Sequence, residues 1–129
     1  MAHVIRLASL DDIDFIAELE LSLFQEYGVN EYAVKQVIEA GMAQVCDQKG
    51  YIITAWGPEL VDVLRIAVHP DHQGKGIGQE LMEVVLEVAW LPIVLTVKKD
   101  NLRAQNLYKK LGFRFVGIVP QDNSLVMWR

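Results

Sequence analysis

Three glycines alternate with other residues at Gly74, Gly76 and Gly78, just after a branched apolar run ending at Val68 and a His69-Pro70-Asp71 turn. Glycine admits backbone shapes that let consecutive N–H groups converge on one concavity, and such a concavity suits an anion. From Ile77 a helical pattern opens, whose N-terminal N–H groups and dipole favour the same anion. Lys75 adds a full positive charge. The stretch Gln73, Gly74, Lys75, Gly76, Ile77, Gly78, Gln79 therefore reads as a phosphate cradle between a strand and a helix. Two common cradles are excluded. A Walker A loop needs Ser or Thr after its lysine, where this chain has Gly76. A dinucleotide fingerprint needs a further glycine at the place of Gln79 or Leu81. The spacing that fits is Gln-x-x-Gly-x-Gly, carried by Gln73, Gly76 and Gly78. The plain alternative is a loop that only turns the chain.

Periodicity gives the elements that must position this loop. A strand is expected over residues 3–7. Ser9, with Asp12 three residues on, caps a helix to about Glu26, broken by Gly28. Asn30 caps a second helix, with Val34, Val37 and Ile38 on one face, ending at Gly41. Residues 43–47, 51–56 and 60–68 read as strands, separated by turns at 48–50 and 57–59. Residues 77–90 form a helix with Ile77, Leu81, Val85 and Val88 as its buried stripe and Glu80, Glu83 and Glu87 on a wet face; Pro92 stops it. A buried strand covers Ile93–Val97. Asp100 and Asn101 cap a helix carrying Ala104, Leu107, Tyr108 and Leu111 that Gly112 closes. Residues 113–119 and Leu125–Trp128 complete the strands, with a short turn at 120–123. Trp56, Trp90 and Trp128 are expected as core or edge packing. The order is β-α-α-β-β-β-α-β-α-β-β. It calls for an α/β mixed sheet, antiparallel but for one parallel pair joined by the helix after the glycines.

Composition narrows the classes. The chain has 129 residues and 52% hydrophobic content, enough for one domain with a real core. No apolar run approaches the ~18 residues of a membrane span, and no basic-then-apolar leader opens the sequence. The single cysteine, Cys46, suits a reducing, cytoplasmic setting and reads as a buried small hydrophobe. A net charge of −5 argues against nucleic-acid binding. Residues 1–62 hold 11 acids and 3 bases, net −8, while residues 63–129 hold 6 acids and 9 bases, net +3. The basic half contains the glycine loop and suits a polyanion; the acidic half suits a cationic partner such as an amine. His69 and His72 have metal-pair spacing without the further ligands a site needs, so an exposed turn is expected there.

The Gln73/Gly76/Gly78 motif and the element order resemble the GNAT superfamily of acetyl-CoA-dependent N-acetyltransferases along essentially the whole chain, read as one domain over residues 1–129. Gly50-Tyr51, Ile53-Thr54 and Ile66-Ala67-Val68 are similar to core strands of its ribosomal-protein alanine N-acetyltransferase branch. Asn101, Ala104, Leu107-Tyr108 and Leu111-Gly112-Phe113 are similar to the last helix of that branch. The resemblance implies transfer of an acetyl group from the cosubstrate acetyl-CoA to a primary amine, a protein N-terminus or a small amine, by direct attack on the thioester. From the composition and motifs above, no metal, no nucleic acid and no membrane is expected, and a homodimer is compatible with them. Backbone groups of Ile66, Ala67 and Val68 would pair with the pantetheine arm, residues 73–79 would hold the pyrophosphate, Asn101 would touch the cofactor, and Tyr108 would act as general acid toward the thioester sulfur.

The base stays open. Thr96 stands where the ribosomal-protein branch has its glutamate, and a threonine is no base near neutral pH. Asp62 lies eleven residues before Gln73, the spacing of the histone-acetylating branch, and shares strand parity with Leu64 and Ile66. Glu59 is a second choice and a water chain a third. The other class of function is a non-catalytic CoA-binding module of the same fold, a sensor or scaffold. Loss of the glutamate at Thr96 favours it and retention of Tyr108 opposes it.

Overall fold

The computed structural model describes residues 3–25 and 28–129. Its elements are β1 (Ile5–Leu7), α1 (Ile13–Phe24), α2 (Glu31–Glu39), β2 (Ala43–Cys46), β3 (Gly50–Trp56), β4 (Val61–Val68), α3 (Ile77–Val88), β5 (Ile93–Val97), α4 (Leu102–Lys110), β6 (Arg114–Ile118) and β7 (Leu125–Trp128). Short 3-10 turns cover Leu10–Asp12 and Pro70–His72. The expected order of strands and helices is the observed one. The strands form one sheet in the order β1-β2-β3-β4-β5-β7-β6. The β1–β2, β2–β3, β5–β7 and β6–β7 pairs are antiparallel and β4–β5 is parallel. Contacts group the chain into two compact units, Met1–Thr54 with Arg65–Val88, and Ala55–Leu64 with Ala89–Arg129.

In the first unit, local polar contacts set the helix starts. The Ser9 N–H donates to Asp12 Oδ2 at 2.8 Å, and Asn30 Oδ1 accepts from the Ala33 N–H at 3.0 Å. Arg6 of β1 grips both Asp12 oxygens, at 2.8 and 2.9 Å, and holds that carboxyl well below the usual carboxylate range. The apolar faces then close on one another. Ile16 and Leu19 of α1 and Val34 and Ile38 of α2 form one buried cluster with Ala43, Val45, Tyr51, Ile53 and Ala67. Ile77, Leu81, Met82 and Val85 bury the inner face of α3. That helix packs so closely on β3 that a Cβ at Gly50 would sit 3.4 Å from the Ile77 and Leu81 side chains and 2.7 Å from the Ala67 carbonyl oxygen. Gly50→Ala is therefore expected to cost about 1–3 kcal/mol, the usual scale of overpacking. Urea denaturation checks it, and an unchanged midpoint would show that β3 and β4 can separate at this point.

In the second unit, β4 pairs with β5 in the register Val61↔Ile93, Asp62↔Val94 and Val63↔Leu95. Val61, Val63, Ile93, Leu95, Val97 and Met127 are buried, as are Tyr108 and Phe113, whose rings tilt against each other at 5.8 Å.

Some boundaries differ from expectation. β1 starts at Ile5, and the end of α1 expected near Glu26 lies outside the described residues. α3 stops at Val88 rather than residue 90; Pro92 restricts Leu91 and so sets only the outer limit of the helix. Val88 is consequently 62% exposed and leaves the stripe, where Met82 replaces it. Trp56, Trp90 and Trp128 are 47%, 81% and 39% exposed, so none is a core residue. Each sits at or beyond the end of its element, where too few neighbours remain to cover an indole.

Candidate active site

The glycine loop has the backbone its sequence calls for. Gly74 and Gly76 have φ of +81° and +82°, a region costly for residues with a Cβ. Nothing lies within 4 Å of a Cβ built at Gly76, so the loop needs that glycine for its backbone conformation and not for room. Gln73, Gly74, Lys75 and Gly76 are exposed, Gly78 and Gln79 half-buried, and Ile77 buried at 1% exposure. Ile77 thus nails the helix start to the core while the residues before it face solvent. The Glu80 N–H donates to the Gly76 carbonyl at 3.0 Å and opens the helical ladder, so the Ile77 and Gly78 N–H groups precede it. These are the donors an anion would meet.

The neighbours of the loop settle several roles. The Gln73 side-chain amide donates to the Val68 carbonyl at 3.2 Å, closing the turn between β4 and the glycines. His69 Nδ1 accepts from the Asp71 N–H at 3.1 Å and caps the Pro70–His72 turn. The Lys75 ammonium lies 3.2 Å from His72 Nδ1. Desolvation, then the Lys75 charge, push His72 ionisation below its ordinary value, which suits it to accept that bond. Both histidines serve the turn.

β4 corrects one expectation. The Val61 N–H donates to the Pro92 carbonyl at 2.8 Å, on the β5 side. Strict alternation would turn the backbone groups of Ala67, six residues on, the same way. The Ala67 carbonyl instead abuts Gly50 of β3. One irregularity therefore falls between Val61 and Ala67, and the parity expected to join Asp62 to Ile66 does not run through it. Ile66 and Val68 present their N–H and C=O groups at the edge away from β3, and Ala67 does not. Among the described residues, the β4–β5 pairing covers Val61–Val63, which leaves Ile66 and Val68 outside it.

Expected residues of the second unit have separate settings. Asp62 is half-buried and pairs with Val94, two residues from the exposed Thr96, so the carboxylate and the threonine share one face. Asn101 Oδ1 accepts from the Ala104 N–H at 3.1 Å and caps α4, which leaves its amide N–H groups as donors. Tyr108 is 6% exposed; burial alone pushes its phenol up to about 12, and none of the described residues hydrogen-bonds the hydroxyl. Cys46, in the first unit, is buried at 2% exposure, and burial pushes its thiol up, away from the nucleophilic form. Ile66–Val68 and residues 73–79 belong to the first unit, and Asp62, Asn101 and Tyr108 to the second.

Sequence reasoning missed a buried polar group behind β4. Glu20 of α1 is fully buried. It accepts from Tyr51 Oη, from Arg65 Nε and Nη2 at 3.1 Å each, and from the Val29 N–H at 3.0 Å. Arg65 also stacks 3.8 Å over the Phe24 ring. Burial first, then Glu20, push the Tyr51 phenol far above its ordinary value, so Tyr51 remains the donor. The available signal was an acid inside an apolar stripe, since Glu20 stands at helical spacing from Ile16, Ala17, Leu23 and Phe24. The first unit also carries an open groove of about 270 Å³ whose lining includes Ala17, Leu21, Gln25 and Val29, with Glu18 and Glu31 as its acids.

The cradle at a strand–helix junction, in a sheet with one parallel pair spanned by that helix, defines a class. The acetyltransferase (GNAT) family model matches residues 14–113, and the chain belongs to that family of acetyl-transferring enzymes. A Bacillus subtilis (strain 168) relative, a candidate [ribosomal protein bS18]-alanine N-acetyltransferase, is 26% identical over 96% of this chain and 93% of its own. Among solved structures, Ard1 from Thermoplasma volcanium superposes with a TM-score of 0.86 at 23% identity, covering 100% of this chain and 97% of its own. Arabidopsis thaliana Naa50, in complex with the bisubstrate analogue CoA-Ac-MVNAL, superposes with a TM-score of 0.81 at 18% identity, covering 100% and 99%.

Proposed function

We propose that this chain, acting as one domain in the cytoplasm, transfers an acetyl group from acetyl-CoA to a primary amine. The carrying observation is the solvent-facing cradle of residues 73–79, with its two left-handed glycines and its buried Ile77 anchor. Family membership supports the donor. The Bacillus relative supports an α-amine acceptor, and so does the Naa50 ligand, which joins CoA through an acetyl to a peptide.

In this reading the N–H groups of residues 73–79 hold the pyrophosphate, with the Lys75 charge beside them. Ile66 and Val68 pair with the pantetheine arm, and the Asn101 amide N–H groups donate to the cofactor. The acceptor arrives as an ammonium, and the acidic half of the chain favours it. Asp62, through water, takes the proton. The neutral amine attacks the thioester carbon, the C–S bond breaks, Tyr108 passes its proton to the departing sulfur, and the proton lost from the acylated nitrogen restores the phenol, leaving amide and free thiol. The acetyl group passes straight to nitrogen. The buried Cys46 supports that route, since the one thiol of the sequence is not presented as a nucleophile. A pair of such domains is compatible with the reading.

Thiol release from acetyl-CoA, followed with a panel of N-terminal peptides and small primary amines, tests it. The expected result is amine-dependent release with at least one member. Binding of acetyl-CoA without turnover of any member would favour the sensor or scaffold.

Gly76→Gln tests the cradle itself. The fold has room for the side chain, so the variant should fold with a loss of about 1–2 kcal/mol from the left-handed backbone. CoA affinity should fall by about tenfold or more, the loss of one or two charge-assisted bonds. Unchanged affinity by calorimetry in the folded variant would count against residues 73–79 as the phosphate site.

A further inference from the structure

We propose that His3 is a positioning residue for the phosphate cradle, aiming the Gly76 N–H at the ligand by holding the carbonyl on the other side of the same peptide. This rests on the reading of residues 73–79 as the pyrophosphate site. His3 Nε2 lies 3.3 Å from the Lys75 carbonyl oxygen and 3.4 Å from Glu80 Oε2, and the His3 N–H donates to Glu80 Oε1 at 3.3 Å. A carbonyl oxygen only accepts, so the ring hydrogen sits on Nε2. Nδ1 is buried with no partner among the described residues. The side chains of His3 and Glu80 are 11% and 17% exposed, so the contact is a wedged one.

The geometric step is short. The described peptide bonds are trans, and in a trans peptide the C=O and N–H point in opposite directions. Fixing the Lys75 carbonyl toward His3 therefore fixes the Gly76 N–H away from it. The next peptide is held in the same manner, since the Gly76 carbonyl accepts from the Glu80 N–H at 3.0 Å and the Ile77 N–H is turned the opposite way. Glu80 links the two, because its backbone holds one carbonyl and its carboxylate holds the histidine that holds the other. Glycine at φ +82° leaves this peptide free to flip, so an external clamp has something to select.

The experiment compares two donors, acetyl-CoA and S-acetylpantetheine, which lacks the pyrophosphate. In wild type, kcat/KM for acetyl-CoA should exceed that for S-acetylpantetheine. His3→Ala should lower kcat/KM for acetyl-CoA by roughly five- to tenfold, the worth of one hydrogen bond. It should do so through KM, with S-acetylpantetheine turnover unchanged. His3→Gln, which keeps a donor able to reach the Lys75 carbonyl, should recover most of the loss. An equal fall for both donors would make His3 a general structural residue, and no fall for either would remove it from the site; both overturn the proposal. A wild type that uses the two donors equally would overturn the cradle reading, and this one with it.

Discussion

Tyr108→Phe is expected to lower kcat by roughly 10²-fold, the usual scale for loss of a general acid, with acetyl-CoA binding close to wild type. The substitution keeps the ring, its burial and its contact with Phe113, and removes a hydroxyl that none of the described residues hydrogen-bonds. Stability should therefore hold or rise, a combination that a packing role cannot produce. Burial lifts the phenol to about 12, so it keeps its proton throughout the neutral range. A thiol has an ordinary pKa near ~8.5, and burial raises the basicity of a thiolate in the same direction. The phenol then acts as general acid, its proton moving to the negative charge growing on sulfur while the acylated nitrogen returns one to it. The pH dependence has a definite sign. A raised folded-state value gives a stability contribution that is complete below the ordinary 10.0 and lost as pH climbs through about 12. Tyr108 should thus add no alkaline fall in kcat between pH 7 and 10. Wild-type turnover in the phenylalanine variant would return Tyr108 to the core.

Glu20→Ala should be the most destabilising single change in the first unit. It removes one acceptor from three groups at once: the half-buried Arg65 guanidinium, the buried Tyr51 hydroxyl and the Val29 N–H. Breaking a buried ion pair from one side costs about 3–5 kcal/mol, and the low end of that range is expected here because the Arg65 side chain is 25% exposed. Tyr51→Phe removes one bond and should cost nearer ~1 kcal/mol. Urea denaturation separates the two, and a Glu20→Ala loss no larger than that of Tyr51→Phe would show that water replaces the carboxylate readily. Arg65 directly precedes Ile66, so the same network fixes the strand segment that leads to the glycine loop.

What the sequence made legible was local. The glycine loop, the Asn30 and Asn101 caps and the element order all depend on residues a few positions apart, and all are seen. What it hid depends on partners far along the chain. Glu20 meets Tyr51 and Arg65 across 31 and 45 positions, and His3 meets Lys75 across 72. Spacing rules cannot see such pairs. The turn of Ala67 toward β3 was hidden differently, because a strand read with period two gives no hint of a residue that breaks the alternation. Val88 failed as a buried residue because apolarity alone does not tell a helix interior from its last position.

Intact-mass spectrometry in two stages tests the central claim, direct acetyl transfer, most closely. The protein is first held with acetyl-CoA alone, then given an N-terminal peptide or small amine from the panel, with thiol release followed throughout. Direct attack predicts no acetyl adduct on the protein and no thiol release in the first stage, then acetylated amine and thiol in equal amounts in the second. Thiol release and an acetylated protein before any amine is added, or no acetylated amine from any member of the panel, would contradict it.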